Sequence, residues 1–341
     1  MAGRRPTIRD VADLAGVHPG TASRALDSRL EGRITPATAE RVRAAARRLG
    51  YEPDPAARTL RAGRSAVIGV VIPDLANPVF PPVVQGIEDT LADAGYVALV
   101  ANTGNDLDRE HARFAALRSR RCDGYIVASA TLNQTRVSDL ASTGSPVVLV
   151  NRETSRADFP SVSSDDQAGV AAAMEHLAGL GHRAIAHITG PPDLSVVQTR
   201  AEAFRSAARR LGLGPVLVRH CPALATAEAR AAALDVLAEA PATTAILAGN
   251  DLMALGCYAA AGPAGRTCPD TLSIVGYNDM PLVEWWRPPL TTVRIPQYEI
   301  GREAATLLLD LIGAGPGRPA KQILLPVALQ VRGSTAPPRG H

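Results

Sequence analysis

Two periodicities divide the 341-residue chain. In the opening stretch TIRDVADLAGVHPGTASRAL, residues 7–26, Ile8, Val11, Ala12 and Leu14 recur at helical spacing, and Thr7 with Asp10 three residues on forms an acidic variant of the capping box. The spacing predicts a helix over 8–14 and a break at Ala15-Gly16-Val17, where glycine supplies a left-handed turn. A second helix over 19–26 opens on Pro19, buries Ala22, Ala25 and Leu26, and turns Gly20, Thr21, Ser23 and Arg24 outward. Two short helices on one glycine turn describe a helix-turn-helix able to enter a DNA major groove; the same spacing also fits an ordinary helical hairpin. Thr35-Pro36 opens a third helix with Val42, Ala45, Ala46 and Leu49 on one stripe, Arg41, Arg43, Arg47 and Arg48 around the remainder, and Gly50 as its stop.

From residue 66 the pattern changes to short continuous apolar runs alternating with helical stretches. Strands are predicted over 66–72, 96–101, 124–128, 147–150, 184–188, 244–248 and 272–275. Runs without polar alternation, separated by helices, are parallel strands covered on both faces. Four of them precede Asn151 and three follow Ser161, which predicts an α/β body of two doubly wound lobes with ligands at the carboxyl ends of the strands. Residues 290–296 are expected to cross back to the first lobe, residues 322–329 to cross again, and the tail from Arg332 to be frayed. Between head and body, YEPDPAARTLRAGR (51–64) contains two prolines that forbid one continuous helix, although 56–62 has room for a short turn. Leu60, flanked by Arg58 and Arg61, suits either a solvated tether or an apolar wedge for a minor groove.

Composition sharpens this picture. The chain's net charge of +3 hides a local excess: residues 1–64 carry 13 arginines against 7 acids, a surplus of six, so the remainder sums to −3. A basic module on a mildly acidic body is the footprint of nucleic-acid binding through phosphates, or a solvated basic face. Four cysteines, Cys122, Cys221, Cys257 and Cys268, lack metal-ligand spacing, and the start MAGRRPTIRD lacks the apolar core of a signal peptide, which leads to the expectation of a cytoplasmic chain with reduced thiols. No apolar run approaches the roughly 20 residues of a membrane span. The seven histidines do not cluster, and nucleophile-elbow, phosphate-loop and zinc-protease motifs are absent, so no catalysis, cofactor or metal is expected.

The head motif, then LGYEPDPAARTLRAGRSAVIGVVIPDLANPVF, VVLVNRE, RAEAF, LAGNDLMALG, SIVGYND and PPLTTVRIP, resemble in the same order the LacI/GalR family of bacterial transcription regulators across nearly the whole chain. The resemblance implies a helix-turn-helix head over 1–52, a hinge helix over 53–64, and an effector-binding and dimerisation core over 65–341 that is similar to periplasmic sugar-binding proteins. It places lobe 1 at about 66–162 and 294–322, and lobe 2 at about 163–293 and 323–332. It further implies a cytoplasmic homodimer on a pseudo-palindromic double-stranded operator, a repressor released or recruited by a sugar or sugar derivative; the absence of a C-terminal heptad favours a dimer over a tetramer. A sugar-binding protein without DNA function is the alternative, against which the basic head argues.

Carried over by residue, Thr7, Thr21 and Ser23 resemble phosphate-positioning groups, Pro19, Gly20 and Arg24 occupy base-facing positions, and Arg33 makes a further backbone contact. His18 replaces a serine common in the family. Ala57 and Leu60, flanked by Arg61, match the residues that enter the minor groove. The implied effector cleft has Asp74, Asn77, Val79 and Phe80 on lobe 1, Asn151 and Arg152 at the end of its fourth strand, and Arg200, Asn250 and Asn278 opposite. Phe80 is expected to stack on a sugar ring, and Trp286 or Trp285 to cover the mouth. Asn151 and Asn278 stand where relatives often carry aspartate, and Ile295 where glutamine is frequent. With Arg152 and Arg200 retained, an acidic or phosphorylated sugar is expected, unless those arginines pair with Asp74 or Asp279.

Overall fold

The computed structural model describes residues 6–26, 34–51, 65–133, 136–142, 144–155, 158–214, 216–315 and 320–338. The chain forms two compact units, Met1–Ser65 and Ala66–His341. Of the expected DNA contacts, Arg33, Ala57, Leu60 and Arg61 lie outside the described residues, as does the hinge segment 53–64.

The first unit packs three helices, α1 (Ile8–Ala15), α2 (Pro19–Ala25) and α3 (Pro36–Leu49). The capping box forms: Thr7 N–H and Oγ1 each donate to Asp10 Oδ2 at 2.7 Å, and Asp10 N–H reaches Thr7 Oγ1 at 3.5 Å. Gly16 ends α1 at φ 64°, with Val17 N–H returning to Ala12 O at 3.0 Å. The buried stripe of α1 is Val11, Ala12 and Ala15, flanked by Ile8, so Leu14 falls beside it and is 41% exposed. Thr35 precedes α3 as expected, but its hydroxyl donates to Thr38 Oγ1 (2.9 Å) and caps no backbone N–H. The core is mostly alanine, Ala22, Ala25, Ala45 and Ala46 closing around Val11 and Val42, which lets three short helices approach closely.

The second unit holds two six-stranded sheets. The first, ordered β11-β5-β4-β3-β1-β2, is fully parallel and comprises β1 (Val67–Ile72), β2 (Val97–Asn102), β3 (Gly124–Val127), β4 (Val147–Val150), β5 (Ser161–Ser164) and β11 (Gln322–Leu325). The second, ordered β12-β10-β9-β8-β6-β7, comprises β6 (Ile185–Thr189), β7 (Leu217–His220), β8 (Ala245–Ala248), β9 (Ser273–Asn278), β10 (Thr291–Arg294) and β12 (Ala328–Gln330). Only the edge pair β10–β12 is antiparallel.

Helices α4 (Phe80–Asp93), α5 (Leu107–Ser119), α6 (Arg136–Ala141) and α11 (Gln297–Ala314) cover the first sheet, and α7 (Asp166–Gly179), α8 (Ser195–Arg210), α9 (Thr226–Glu239) and α10 (Asp251–Ala261) the second. Three connections therefore join the lobes, after β5, after β10 and between β11 and β12. Residues 291–294, expected to lie in a crossing segment, belong to the second sheet, and the crossing follows them. On lobe 1, α4 and α11 touch through glycine: a Cβ at Gly301 would stand 2.0 Å from Val83 O, and one at Gly86 2.1 Å from Tyr298 O.

Residues 332–336 are packed against the second sheet, contrary to the frayed end expected from the tail's composition. Ser334, fully buried, donates to Ile274 O at 2.6 Å and accepts Thr291 N–H at 2.8 Å. Arg332 donates to Leu290 O and pairs with Asp279 at 2.8 Å, while Ala336 O lies 3.0 Å from His182 Nε2. Polar tail residues thus satisfy groups at the edge of the second sheet that would otherwise be buried without partners.

Candidate functional site

On the head, α2 presents the expected DNA-facing residues. His18, an exposed residue, is its N-cap, and Nδ1 accepts the Gly20 N–H at 3.1 Å; in the neutral ring this leaves the proton on Nε2. The imidazole therefore caps the helix and retains one donor. Arg24, exposed, is steadied through Nε to Gly20 O at 3.0 Å, which leaves its two terminal nitrogens as a fork. Pro19, Gly20, Thr21 and Ser23 are half-buried along the same helix, and Thr7 sits at the start of α1 with its hydroxyl held by Asp10. Arg47 pairs with Glu40 at 2.7 Å, both largely exposed, so this bond contributes little to stability.

On the body, the expected cleft residues cluster at the carboxyl ends of the strands, and several are committed to local structure. Asp74 Oδ1 accepts Ala76 N–H (2.9 Å) and Asn77 Oδ1 accepts Val79 N–H (3.2 Å), shaping the turn after β1. Asn250 Oδ1 caps α10 through Met253 N–H at 2.8 Å, leaving only its amide nitrogen to donate. Asn151 and Asn278 follow β4 and end β9 in backbone regions of positive φ, 62° and 114°, and Asn278 O accepts from Gln297 Nε2. Two expectations are corrected. Phe80 is 2% exposed within the main apolar cluster, so its ring is core and offers no open stacking face. Trp286 packs edge-on against Tyr258, centroids 5.7 Å apart, in the outer core of lobe 2, which commits its ring to the core; Trp285 is 68% exposed.

Arg200 centres the most developed polar cluster. Buried on α8, it donates from Nη1 to Gly249 O (2.7 Å) and from Nη2 to Asp166 Oδ1 (3.1 Å), and its guanidinium lies 3.7 Å from the Tyr277 ring centroid. The same Asp166 oxygen accepts from Tyr277 OH at 2.8 Å, and Ser164 Oγ reaches it at 2.9 Å. Burial opposes the charge of Arg200, but Asp166, Tyr277 and Asp251 together more than offset it and hold the guanidinium above its ordinary pKa; burial, then Asp166, drives the Tyr277 hydroxyl well above its own. Gly169 makes room, since a Cβ there would stand 2.4 Å from Tyr277 OH.

Arg152 is also buried, which pushes its guanidinium down to about 10 against the attraction of Asp193 and Glu110. Asp279 pairs with Arg294 (2.6 Å) and Arg332, so neither expected pairing, with Asp74 or with Asp279, is made by the cleft arginines. Of the two guanidinium groups behind the expectation of an acidic ligand, Arg200 is paired with Asp166, whereas Arg152 Nε has no hydrogen-bond partner among the described residues.

Two hydrogen bonds join the lobes beside this cluster: Leu132 N–H to Asp193 O (2.9 Å) and Glu153 N–H to Ser195 Oγ (2.8 Å). They border a cavity of about 740 Å³ lined among the described residues by Leu132, Asn133 and Glu153–Ser155 from lobe 1, and by Asp193, Ser195, Gln198 and Glu202 among others from lobe 2. None of the residues expected for the effector lines it. Asp166, Tyr277 and Ser164 were also missed: Asp166 reads as a helix start and Tyr277 as strand core, and only the fold brings them to Arg200. Among the described residues no group of His, Cys, Asp and Glu is arranged to hold a metal, and no helix is long and apolar enough to cross a membrane.

The bacterial regulatory proteins of the lacI family match residues 7–54, and a periplasmic binding protein-like domain matches residues 174–335. The chain is 32% identical over 333 residues to the HTH-type transcriptional repressor CytR of Escherichia coli (strain K12), covering 96% of each. A structure of the lac repressor dimer bound to operator and the anti-inducer ONPF superposes with a TM-score of 0.86 at 26% identity, over 98% of this chain and 100% of that one. The transcriptional regulator CelR in complex with cellobiose gives 0.74 at 29% identity, over 97% and 100%. A three-helix head with a capped second helix, a two-lobed body of parallel sheets and full-length similarity to a repressor lead to one conclusion: the chain belongs to the lacI family of bacterial regulatory proteins.

Proposed function

We propose that this chain is a cytoplasmic, homodimeric transcriptional repressor that binds a pseudo-palindromic DNA operator and is controlled by a sugar or sugar derivative held between its lobes, without catalysis. The observation that carries the reading is the capped second helix of the head with Arg24 exposed and steadied on it. Arg24 reads a guanine through its terminal nitrogens, His18 Nε2–H, Thr7, Thr21 and Ser23 hold phosphates, and Pro19 and Gly20 allow close approach to base edges. Arg33, Ala57, Leu60 and Arg61 extend the DNA contact from outside the described residues, Leu60 as a minor-groove wedge. In the body, Asp74, Asn77, Asn151, Arg152, Arg200, Asn250 and Asn278 border the effector site. The similarity to the lac repressor bound to operator and to CelR bound to cellobiose supports both halves.

Ligand binding that favours one closure of the lobes shifts the dimer between DNA-binding and released states by its differential affinity for the two. Selection of duplexes from a randomised library by the full chain tests the reading. An inverted repeat is expected, bound with an affinity that falls steeply with salt. Recovery of no common sequence would overturn it.

A further inference from the structure

Of the two arginines at the carboxyl ends of the strands, Arg200 is already matched by a carboxylate. Arg200 is held by Asp166, which also receives Tyr277 OH and Ser164 Oγ, so one carboxylate oxygen anchors a salt bridge and two hydroxyl donors in a site where Arg200 and Asp166 are both nearly closed to solvent. Gly249 O takes the other terminal nitrogen, and the Tyr277 ring lies along the guanidinium face. Arg152 is different: burial outweighs the attraction of Asp193 and Glu110 and pushes its guanidinium down to about 10, its Nε has no hydrogen-bond partner among the described residues, and the buried Glu110 accepts from Ser129 Oγ at 2.5 Å. The adjoining cavity carries Glu153, Asp193 and Glu202 and no cationic side chain among its described lining residues.

We infer that Asp166 is a positioning residue which neutralises Arg200 and fixes its guanidinium on Tyr277, so that the Arg200 end of the interlobe site favours uncharged, hydroxyl-bearing ligands over carboxylate or phosphate forms. The inference rests on the reading that the effector binds at Arg200. The Arg200–Asp166 salt bridge presents no net charge, and an anion entering beside Arg200 meets a buried carboxylate there. In a poorly solvated site that repulsion is barely screened. A hydroxyl, by contrast, accepts from the guanidinium and donates to the carboxylate without changing the net charge.

The test compares the full-length chain with Asp166→Asn, which keeps the hydrogen-bonding shape and removes the charge. Titration calorimetry with glucose and with glucuronate gives a neutral-to-anion affinity ratio for each protein, and thermal unfolding in inorganic phosphate against chloride at matched ionic strength gives the anion response without a sugar. In the unchanged chain glucose is expected to bind at least about tenfold more tightly than glucuronate. Asp166→Asn is expected to collapse that ratio and to show a phosphate-dependent rise in Tm larger than that of the unchanged chain; comparing the two proteins cancels any phosphate bound by the basic head. A residue with a merely structural role would lower Tm equally in both salts and leave the ratio intact, which would overturn the inference.

Should Asp166→Asn fail to fold, tighter binding of glucuronate than glucose by the unchanged chain overturns it alone, and the reverse order supports it. If neither compound binds either protein, the phosphate response of Asp166→Asn still decides the role assigned to Asp166.

Discussion

Replacing His18 by alanine removes the side chain that caps the DNA-facing helix. The structure assigns that side chain one hydrogen bond, from Gly20 N–H to Nδ1 at 3.1 Å, at the start of a helix of only seven residues. Substituting a good N-cap by alanine costs about 1 kcal/mol. Because His18 is exposed, water takes over part of the lost bond, which places the cost between about 0.5 and 1 kcal/mol. The helix is too short to persist by itself and is held by Ala22 and Ala25 against the head core, so the loss appears as more frequent local opening. An energy of 1 kcal/mol is about a fivefold change in that equilibrium. Amide hydrogen exchange on the full-length protein should therefore show two- to fivefold faster exchange, roughly, at Gly20 and Thr21 in His18→Ala, with α3 unchanged. His18→Ser, which restores an acceptor, should return the rates to those of the unchanged chain. Equal exchange in all three proteins would refute the assignment of His18 as the cap.

Two buried ionisable groups in lobe 2 give opposite pH dependences. Burial pushes Asp251 up to about 7, above an ordinary carboxylate, so its share of stability is lost as pH rises between about 4 and about 7, on the order of 4 kcal/mol. Burial pushes His187 down to about 4, so its share is lost as pH falls from about 6.5 to about 4, on the order of 3 kcal/mol. The contributions offset where the windows overlap: by chemical denaturation, Asp251→Asn should lose stability on acidification and His187→Phe on raising pH, and equal slopes in both variants would contradict the assignments. Ser334→Ala leaves the buried Thr291 N–H unpaired and should cost about 1 to 3 kcal/mol, seen as a lower Tm with faster exchange at Thr291. Gly301→Ala forces a Cβ against Val83 O and should cost at least about 1 to 3 kcal/mol by separating α4 from α11, whereas an unchanged Tm would show that the two helices are not in contact.

The head was legible because its signals are local. Thr7, Asp10, Gly16, Pro19 and Gly50 each specify a cap or a turn within four residues, and the helices start and stop where those residues stand. The same holds for the strands written as continuous apolar runs. Strand β5 was hidden because three of its four residues are serine; Ser161 and Ser164 are buried by neighbours that the local pattern does not reveal. The tail was misread for the same reason, since its serine and threonine look solvated until the edge of the second sheet is in place. Arg200 was identified, but its partners Asp166 and Tyr277 are 34 and 77 residues away in sequence, and the neutrality of the pair is visible only once the fold brings them together. Phe80 shows the converse: an aromatic residue beside a cleft motif is also an apolar helix start, and burial against the lobe core decides its role.

The central claim is that α2 reads DNA sequence and that Arg24 is its principal base-reading side chain. Fluorescence anisotropy on the duplex selected by the unchanged chain, and on a scrambled duplex of equal length and composition, measures this directly. Arg24→Ala should lose about 1 to 3 kcal/mol on the selected duplex, roughly five- to 150-fold, with little change on the scrambled one. Arg24→Ala binding both duplexes with the discrimination of the unchanged chain would contradict the account.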